Sequence, residues 1–225
     1  MEYQRRDSAD GAGSRVSLGA GKIQSTTLAE ASNGGTISFF VPNDTAATEY
    51  VGDVKVNDAD STVTLGIATE GSTWTGGLTN HGGTFNLGLQ NGGVWNNTGK
   101  EEANISLLDA TDTGNGVIFQ NKDSGGITVD RFRGHALVLY SHSAADPTDI
   151  LGGDVTVKKA DANSFLTLRT DRSGINMGDY HGVENVLDAL AKKLTYTDAV
   201  NGVTNLNGRV EIAEGLTAAS AAKQY

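Results

Sequence analysis

Short runs in which apolar and polar residues alternate recur along the chain and predict β-strands. Clear examples are "DVKV" from Asp53, "TVTLGI" from Thr62 and "TFNLGL" from Thr84. Alternation by two places all the apolar side chains of a run on one face of its strand. The chain is therefore predicted to be mainly β-structure with one face of each strand buried.

Short echoes of these runs recur along the chain, and the spacing of one such pair is close to twenty residues. A Gly pair precedes a strand-like run at Gly34, Gly82, Gly92, Gly125 and Gly152. Trp74 in "STWTGG" and Trp95 in "GVWNNTG" lie 21 residues apart. A period of this size is typical of solenoids, in which each unit stacks on the previous one.

A longer internal repeat supports the same interpretation. The stretch "VGDVKVNDADSTVTLGIATE" at 51–70 is echoed by "GGDVTVKKADANSFLTLRTD" at 152–171. Val54 and Val56 align with Val155 and Val157 at an offset of 101 residues. After a two-residue insertion, the segment 63–65 aligns with 166–168. We expect the aligned apolar residues to point inward from successive rungs of one rod.

Two all-β folds fit this alternation. Asn-Gly steps such as Asn91-Gly92 could close the hairpins of a β-sandwich. Uneven turns, including the long loop from Pro42 to Tyr50, fit a parallel β-helix better, because insertions there leave the coil path intact. We predict a right-handed parallel β-helix, with a β-sandwich as the alternative. About 20–25 residues per coil predicts about ten coils and a rod on the order of 50 Å long.

One segment changes period. In "YHGVENVLDALAKKL" the residues Val183, Val186, Leu187 and Leu190 keep helical spacing, and Asp179 is a candidate N-cap. We predict an amphipathic helix within 177–198 that packs on the rod; a helix that binds a partner is the alternative. The remaining boundaries are a polar tail at 1–20, coils at 21–176 and a further coil at 199–225.

Composition narrows the range of partners and compartments. The formal net charge is -10, which repels the phosphate backbone of a nucleic acid. The absence of Cys suits a chain that crosses an oxidising space. No apolar run reaches the length of a membrane-spanning helix. Residues 1–15 contain no hydrophobic centre, so any secretory signal is expected to lie outside this chain.

The motif "KDSGG" at Lys122 to Gly126 resembles part of the signature around a chymotrypsin-type serine nucleophile. That chemistry needs a histidine base and an aspartate placed upstream in a set order. Only His81 precedes Ser124, and the Gly expected before Asp123 is missing. A turn is the better interpretation.

Other polar residues give no catalytic or metal pattern. The four histidines lack the spacing of a zinc site, and "DTGNG" occurs once without the repetition of a calcium-binding β-helix. Calcium bound by loop carboxylates stays open. Asp130 with Arg131 and Arg133, or Asp171 with Arg172, could serve a carbohydrate-active enzyme but equally could be solvent-exposed charges. We therefore predict no catalytic residue, no cofactor and no metal site.

Several stretches together resemble the passenger regions of type V, pertactin-like autotransporters. They are "VPNDTAATEYVGDVKVNDADSTVTLGIATEGSTWTGG", "LQNGGVWNN", "GVIFQNKDSGGITVDRF", "INMGDYHGVENVLDALAKKLTY" and "NLNGRVEIAEGLTAAS". The resemblance is closest to large surface proteins of diderm Firmicutes. It implies a β-helix that is exported across the outer membrane through a C-terminal β-barrel, and a role in adhesion, aggregation or biofilm. It implies no catalytic residue here.

On this basis we expect a non-catalytic, adhesin-like passenger fragment at the cell surface. The alternatives are a secreted carbohydrate-active β-helix enzyme and a purely structural surface-layer domain. The expected partner is a glycan or protein on a host or bacterial surface. Nucleic acid is not expected, membrane contact is expected only through a barrel outside this chain, and the chain is expected to be a monomer.

The candidate ligand contacts lie in two long loops, Pro42 to Tyr50 and Ser141 to Ile150, and on two aromatic side chains that are expected to be exposed. They are Asn43, Asp44, Glu49, Trp74, Trp95, His142, Asp146 and Asp149. For the two tryptophans the competing interpretation is a stacked structural ladder.

Overall fold

A computed structural model describes residues 7–18, 21–39, 46–111, 115–198, 205–214 and 218–224. These residues form eighteen β-strands and one α-helix. The strands are β1 Asp7–Asp10, β2 Arg15–Leu18, β3 Lys22–Ser32, β4 Thr36–Phe39, β5 Glu49–Val56, β6 Thr62–Ile67, β7 Thr73–Gly76, β8 Leu78–Asn80, β9 Thr84–Leu89, β10 Val94–Asn97, β11 Ala103–Ala110, β12 Gly116–Gln120, β13 Ile127–Tyr140, β14 Val155–Val157, β15 Ser164–Asp171, β16 Leu194–Tyr196, β17 Leu206–Glu214 and β18 Ala218–Gln224. The helix, α1, is Tyr180–Ala191.

The strands stack in three parallel rows, which we number as faces of the solenoid. Face 1 contains 22–24, 49–51, β7, β10, β12, 135–140, β15 and β17. Face 2 contains β1, 29–32, 53–56, β8, 103–105, 127–129, β14 and β16. Face 3 contains β2, β4, β6, β9, 107–110 and 131–134. The chain visits the faces in this order, so each circuit is one coil.

The core consists of columns of inward-pointing side chains, one from each coil. In face 1 the register aligns Ile23, Tyr50, Trp74, Trp95, Ile118, Val138, Leu168 and Val210. All members after Ile23 are buried. Each inward residue therefore covers the one in the preceding coil, which is how a solenoid buries an apolar core with short strands.

The predicted parallel β-helix is confirmed: the chain is all-β and forms a parallel β-solenoid of about six turns with a single short helix. The antiparallel pairing of a sandwich occurs among the described strands only between β17 and β18. The prediction of about ten coils is wrong, because the last coils carry long insertions at 141–153 and 172–193. The eight strands of face 1, together with β18 paired to the last of them, span about 40 Å at a spacing of about 4.8 Å.

The two copies of the internal repeat occupy equivalent places in the solenoid only over their first halves. Val54 and Val56 lie on face 2 in one coil, and Val155 and Val157 lie on face 2 in a later coil, all buried and all in parallel pairing. The aligned segments 63–65 and 166–168 lie on face 3 and face 1. The two halves diverge because the later coil makes only a single bridge on face 3, between Phe132 and Ala160.

The helix α1 lies within the predicted segment and is inserted between face 1 and face 2 of the last coils. The side chain of Asp179 accepts a hydrogen bond from the backbone N–H of Gly182, as predicted for an N-cap. Val183, Val186, Leu187 and Leu190 are buried, and the helix packs against β15 and β17. It therefore covers part of the apolar core beside the last strands of face 1. Within the described residues, no helix has both the length and the apolar character needed to cross a membrane.

Candidate functional site

The outer surface of face 1 is apolar over its middle coils. Outward positions of β12 and of the last part of β13 hold Val117, Leu137 and Leu139, which pack outside the wall together with Val94 as a cluster separate from the core. Phe119 lies beside Leu139 in register and is 38% exposed. A strand that is apolar on both sides is covered on both sides or meets a partner on its outer side.

This surface continues into a groove of about 630 Å³. Phe119 and Leu139 supply its apolar part, and the polar residues Asn121, Lys122, Ser141, Arg169 and Asp171 also line it. The groove lies where face 1 turns towards face 2. A largely apolar concavity with a few polar groups is the usual form of a small-ligand site.

A buried ion pair holds Arg169 in the wall of the groove. The Arg169 Nε donates to Glu211 Oε1 at 2.7 Å, and its Nη2 donates to the same oxygen. The Arg209 Nη2 lies 2.9 Å from Glu211 Oε2. Glu211 is fully buried, so the two guanidinium groups compensate a carboxylate that burial alone would disfavour. The three residues together carry one excess positive charge.

The other two charged residues of the groove differ in how they are engaged. The Asp171 Oδ1 accepts hydrogen bonds from the backbone N–H of Ser173 at 2.7 Å and from the Ser173 hydroxyl. The Lys122 Nζ lies 3.9 Å from an Asp123 carboxylate oxygen, and both side chains are well exposed. An exposed pair at this distance is weak, so the Lys122 ammonium can turn towards a ligand.

The predicted ligand-contact loop at 141–150 borders this groove. Ser141 lines it, and the His142 Nε2 lies 3.1 Å from the backbone oxygen of Asp171. Asp146 accepts hydrogen bonds from the hydroxyl and the backbone N–H of Thr148, and these bonds lower the pKa of Asp146. The loop is therefore tied down at both the groove and its tip.

Asp149 faces away from this groove, towards α1. It lines a second, polar concavity with Asp188, Lys192 and Lys193. The Lys193 Nζ donates to the backbone oxygen of Gly152 at 2.8 Å. The loop and the helix thus stack on each other as two insertions at the same corner of the solenoid.

The prediction that Trp74 and Trp95 are exposed ligand contacts is wrong. Both are fully buried, with ring centroids 4.9 Å apart and planes 5° from parallel. The Trp74 Nε1 donates to the backbone oxygen of Gly52 at 2.9 Å, and the Trp95 Nε1 donates to that of Gly76 at 3.0 Å. They form the structural ladder that was the competing interpretation.

The remaining candidates do not join this site. Glu49 is exposed but lies several coils away on face 1, where its carboxylate is 3.1 Å from the Lys22 Nζ. Asn43 and Asp44 lie outside the described residues. The predicted contact residues therefore do not form one site, and only the loop with His142 and Asp146 borders the groove.

Four of the five charged residues considered for carbohydrate chemistry are engaged in ion pairs between coils, and the fifth, Asp171, accepts hydrogen bonds from Ser173. These pairs are Asp130 with Lys158, Arg131 with Asp161, Arg133 with Asp109 and Arg172 with Glu214. Hydrogen bonding by Arg131 lowers the pKa of Asp161. Burial acts to raise the pKa of Asp109, but hydrogen bonds from Arg133 and Thr111 outweigh it and lower that pKa.

The motif at Lys122 to Gly126 is a turn. The Ser124 hydroxyl is nearly buried and donates to the backbone oxygen of Asn121 at 2.7 Å. Gln120 lies beneath this turn and donates to the backbone oxygens of Gly125 and Gly153 at 2.8 and 2.9 Å. In the described part of the chain, no three His, Asp or Glu side chains are grouped so as to hold a metal ion.

Sequence reasoning missed Phe119, Leu139, Arg169 and Lys122. A signal for the first two was present, since "GVIF" and "ALVLY" are continuous apolar runs rather than alternating ones. Continuous runs indicate strands with no polar outer side. No comparable signal marks Arg169, which reaches this surface only through the stacking of β13, β15 and β17.

Comparison of the sequence with protein-family models, with curated proteins and with solved structures finds no match.

Proposed function

We propose that the chain is a non-catalytic binding segment of a cell-surface protein, part of the passenger region of a type V autotransporter with an adhesin-like role. Two features of the chain support this role. The sequence resembles such passengers over most of 37–220, and the parallel solenoid is the fold that this resemblance implies.

The observation that carries the binding role is the outer surface of face 1. A wall that served only to hold the rod together would present polar side chains on its outer side, as the first coils do with Glu49, Thr73 and Thr75. The middle coils instead present Phe119, which is 38% exposed and lies beside the largely buried Leu139 at a groove. Exposed apolar surface costs free energy in water, so its presence next to a concavity supports a contact with a ligand.

The mechanism needs no moving part. Each coil pairs with the coils on either side of it, which makes the rod a stiff spacer, and insertions at one corner leave the coil path unchanged. The rod holds the groove and the loop at 141–150 away from the cell, at a fixed height along its axis. Binding would then depend on residues that lie outside the core columns.

A whole-cell adhesion assay tests the proposal. Beads coated with the purified chain are expected to bind host epithelial or bacterial cells, and soluble chain should compete. The substitution Phe119→Ser should reduce bead binding while leaving far-UV circular dichroism unchanged. Tyr180→Ser, which removes the other large exposed aromatic of the described residues, is the matched control.

Two outcomes would contradict the proposal. Rod-like dimensions in solution scattering without attachment to any cell surface would indicate a purely structural surface domain. Release of reducing sugars from a polysaccharide in the absence of cells would indicate a carbohydrate-active enzyme.

A further inference from the structure

The apolar surface still open to solvent at the groove is small. Val117, Leu137 and Leu139 are 9%, 7% and 8% exposed, so most of their area is already covered. Phe119, at 38%, leaves roughly one ring available. A stable protein–protein interface buries roughly 1,200–2,000 Å², far more than one ring and its rim provide. The available area suits a single small ring.

Peptide addition to a sheet edge is also disfavoured at this place. The strands that bear the groove are each paired on both sides: β12 with β10 and β13, and β15 with β13 and β17. An added peptide strand needs unpaired backbone N–H and C=O groups, and these strands have none to offer. The occupant must therefore bind through side chains alone.

The side chains around Phe119 match the groups of a sugar. The face of an aromatic ring is electron-rich and attracts the partly positive C–H groups on one face of a pyranose. Asn121 and Ser141 are both exposed and both line the groove. The Ser141 hydroxyl can donate and accept hydrogen bonds, as sugar hydroxyls require. The Asn121 Nδ2 donates to Asn96 Oδ1 and to the backbone oxygen of Asn97, so Asn121 offers a sugar hydroxyl its Oδ1 as an acceptor.

The charges select among sugars. The chain carries a net charge of -10, and its general field repels anions. The groove departs from this field, because Lys122 and Arg169 line it while the Asp171 carboxylate faces Ser173. The charged residues that line the groove sum to one positive charge, because Lys122 and Arg169 outnumber Asp171 and because Arg209 balances the Glu211 carboxylate behind Arg169. This excess favours a ligand with an anionic group.

We propose that the groove binds an acidic sugar residue of a surface polysaccharide, with the pyranose ring on Phe119 and its carboxylate at Lys122. This inference rests on the proposed binding function and names its ligand class. Arg169, held by Glu211, contributes positive potential from the wall rather than a mobile contact. Asn121 and Ser141 would fix the orientation of the ring.

An array of saccharides that carry uronic or sialic acids, each beside its methyl ester, tests this inference with the full chain. The methyl ester keeps the ring and the hydroxyls and removes only the charge. We expect binding to acidic members to exceed binding to their esters by about tenfold, and to fall as salt screens the Lys122 charge.

Two pairs of variants separate the ring from the charge. Phe119→Ser should weaken binding of acid and ester alike by about tenfold, whereas Tyr180→Ser should change neither. Lys122→Gln should reduce the affinity for the acidic saccharide to that for its methyl ester. Lys159→Gln, an equal loss of charge at an exposed position away from the groove, should not.

The outcomes distinguish this inference from the function it rests on. Equal binding of acids and esters, or loss of acid preference in Lys159→Gln as well, overturns the acidic-sugar assignment. Attachment to cells without binding to any acidic saccharide of the array overturns the ligand class but leaves the binding function standing. If the chain neither attaches to cells nor binds any acidic saccharide, both the ligand class and the binding function are overturned.

Discussion

Replacing Trp95 by alanine should destabilise the fold far more than it affects binding. Trp95 is fully buried, stacks on Trp74 and donates a hydrogen bond to the backbone oxygen of Gly76. Truncation of a buried Trp to Ala typically costs about 3–5 kcal/mol, because the transfer free energy of the ring is lost and a cavity remains. Within that total, the ring stacking accounts for about 0.5–1.5 kcal/mol and the hydrogen bond for about 1 kcal/mol.

A graded series tests this breakdown. Trp95→Phe should cost about 1–2 kcal/mol, because a ring remains in the column while the indole N–H is lost. The oxygen of Gly76 still accepts from the backbone N–H of Thr98 at 3.3 Å, so it is not left unpaired. The double substitution Trp74→Ala/Trp95→Ala should cost less than the sum of its parts by about 0.5–1.5 kcal/mol, since the stacking is lost only once.

Equilibrium urea unfolding followed by far-UV circular dichroism is the appropriate assay, because fluorescence would change with the removal of either indole. Phe119→Ser is the contrasting variant: it should cost within about 1 kcal/mol and instead weaken binding. A loss below about 1 kcal/mol for Trp95→Ala would refute the placement of the indole in the core. If the Trp95→Ala variant folds but no longer binds the ligand, Trp95 would be a ligand-contact residue after all.

Three further changes test the stacking, the charges and the helix. Gly76→Ala places a Cβ 2.1 Å from a carbonyl oxygen of the preceding coil and should lower the free energy of unfolding by at least about 1–3 kcal/mol. In the control Gly88→Ala the nearest atom to the new Cβ is 3.7 Å away, so the urea midpoint should be nearly unchanged. Arg131 lowers the pKa of Asp161 in the folded state, so the ionised Asp161 carboxylate stabilises the fold fully above its unfolded pKa of about 3.9. This stabilisation is lost as the pH falls through the lower folded pKa. The thermal unfolding temperature should therefore decline less steeply from pH 6 to 2 in Asp161→Asn than in the unaltered chain, and identical slopes would contradict this. Asp179→Ala removes the N-cap of α1 and should lower the free energy of unfolding in urea by about 0.5–2 kcal/mol. Asp179→Asn, which keeps a capping oxygen, should restore most of this loss, and an unchanged midpoint in Asp179→Ala would show that the cap is dispensable.

The parallel β-helix could be predicted from local pattern because its core is built from repeated local units. Alternation at Val54 and Val56 decides which side chains point inward whatever strand lies next to them. The same holds for α1, where the period of Val183, Val186 and Leu187 and the cap at Asp179 are local properties. The number of coils was overestimated because a mean coil length cannot show which segments leave the coil path, as 172–193 does.

The groove could be predicted only in part, because it depends on which residues meet across coils. Arg169 and Glu211 are 42 residues apart, and their pairing follows from the register of β15 on β17. The prediction that Trp74 and Trp95 are exposed contacts failed because a spacing of 21 residues indicates that the rings stack but does not show which side of the wall they occupy. The register of face 1 places both rings in the inward column, and the Gly52 and Gly76 oxygens satisfy their buried N–H groups.

The amino-acid sequence by itself determined the alternation, the turns, the helix and hence the class of fold, because each depends on residues close along the chain. The tertiary structure decided how many coils form, which half of the internal repeat is equivalent, and where an apolar ring meets positive charge on the outer wall. These depend on the register between strands 20–40 residues apart, which insertions shift without leaving a local trace.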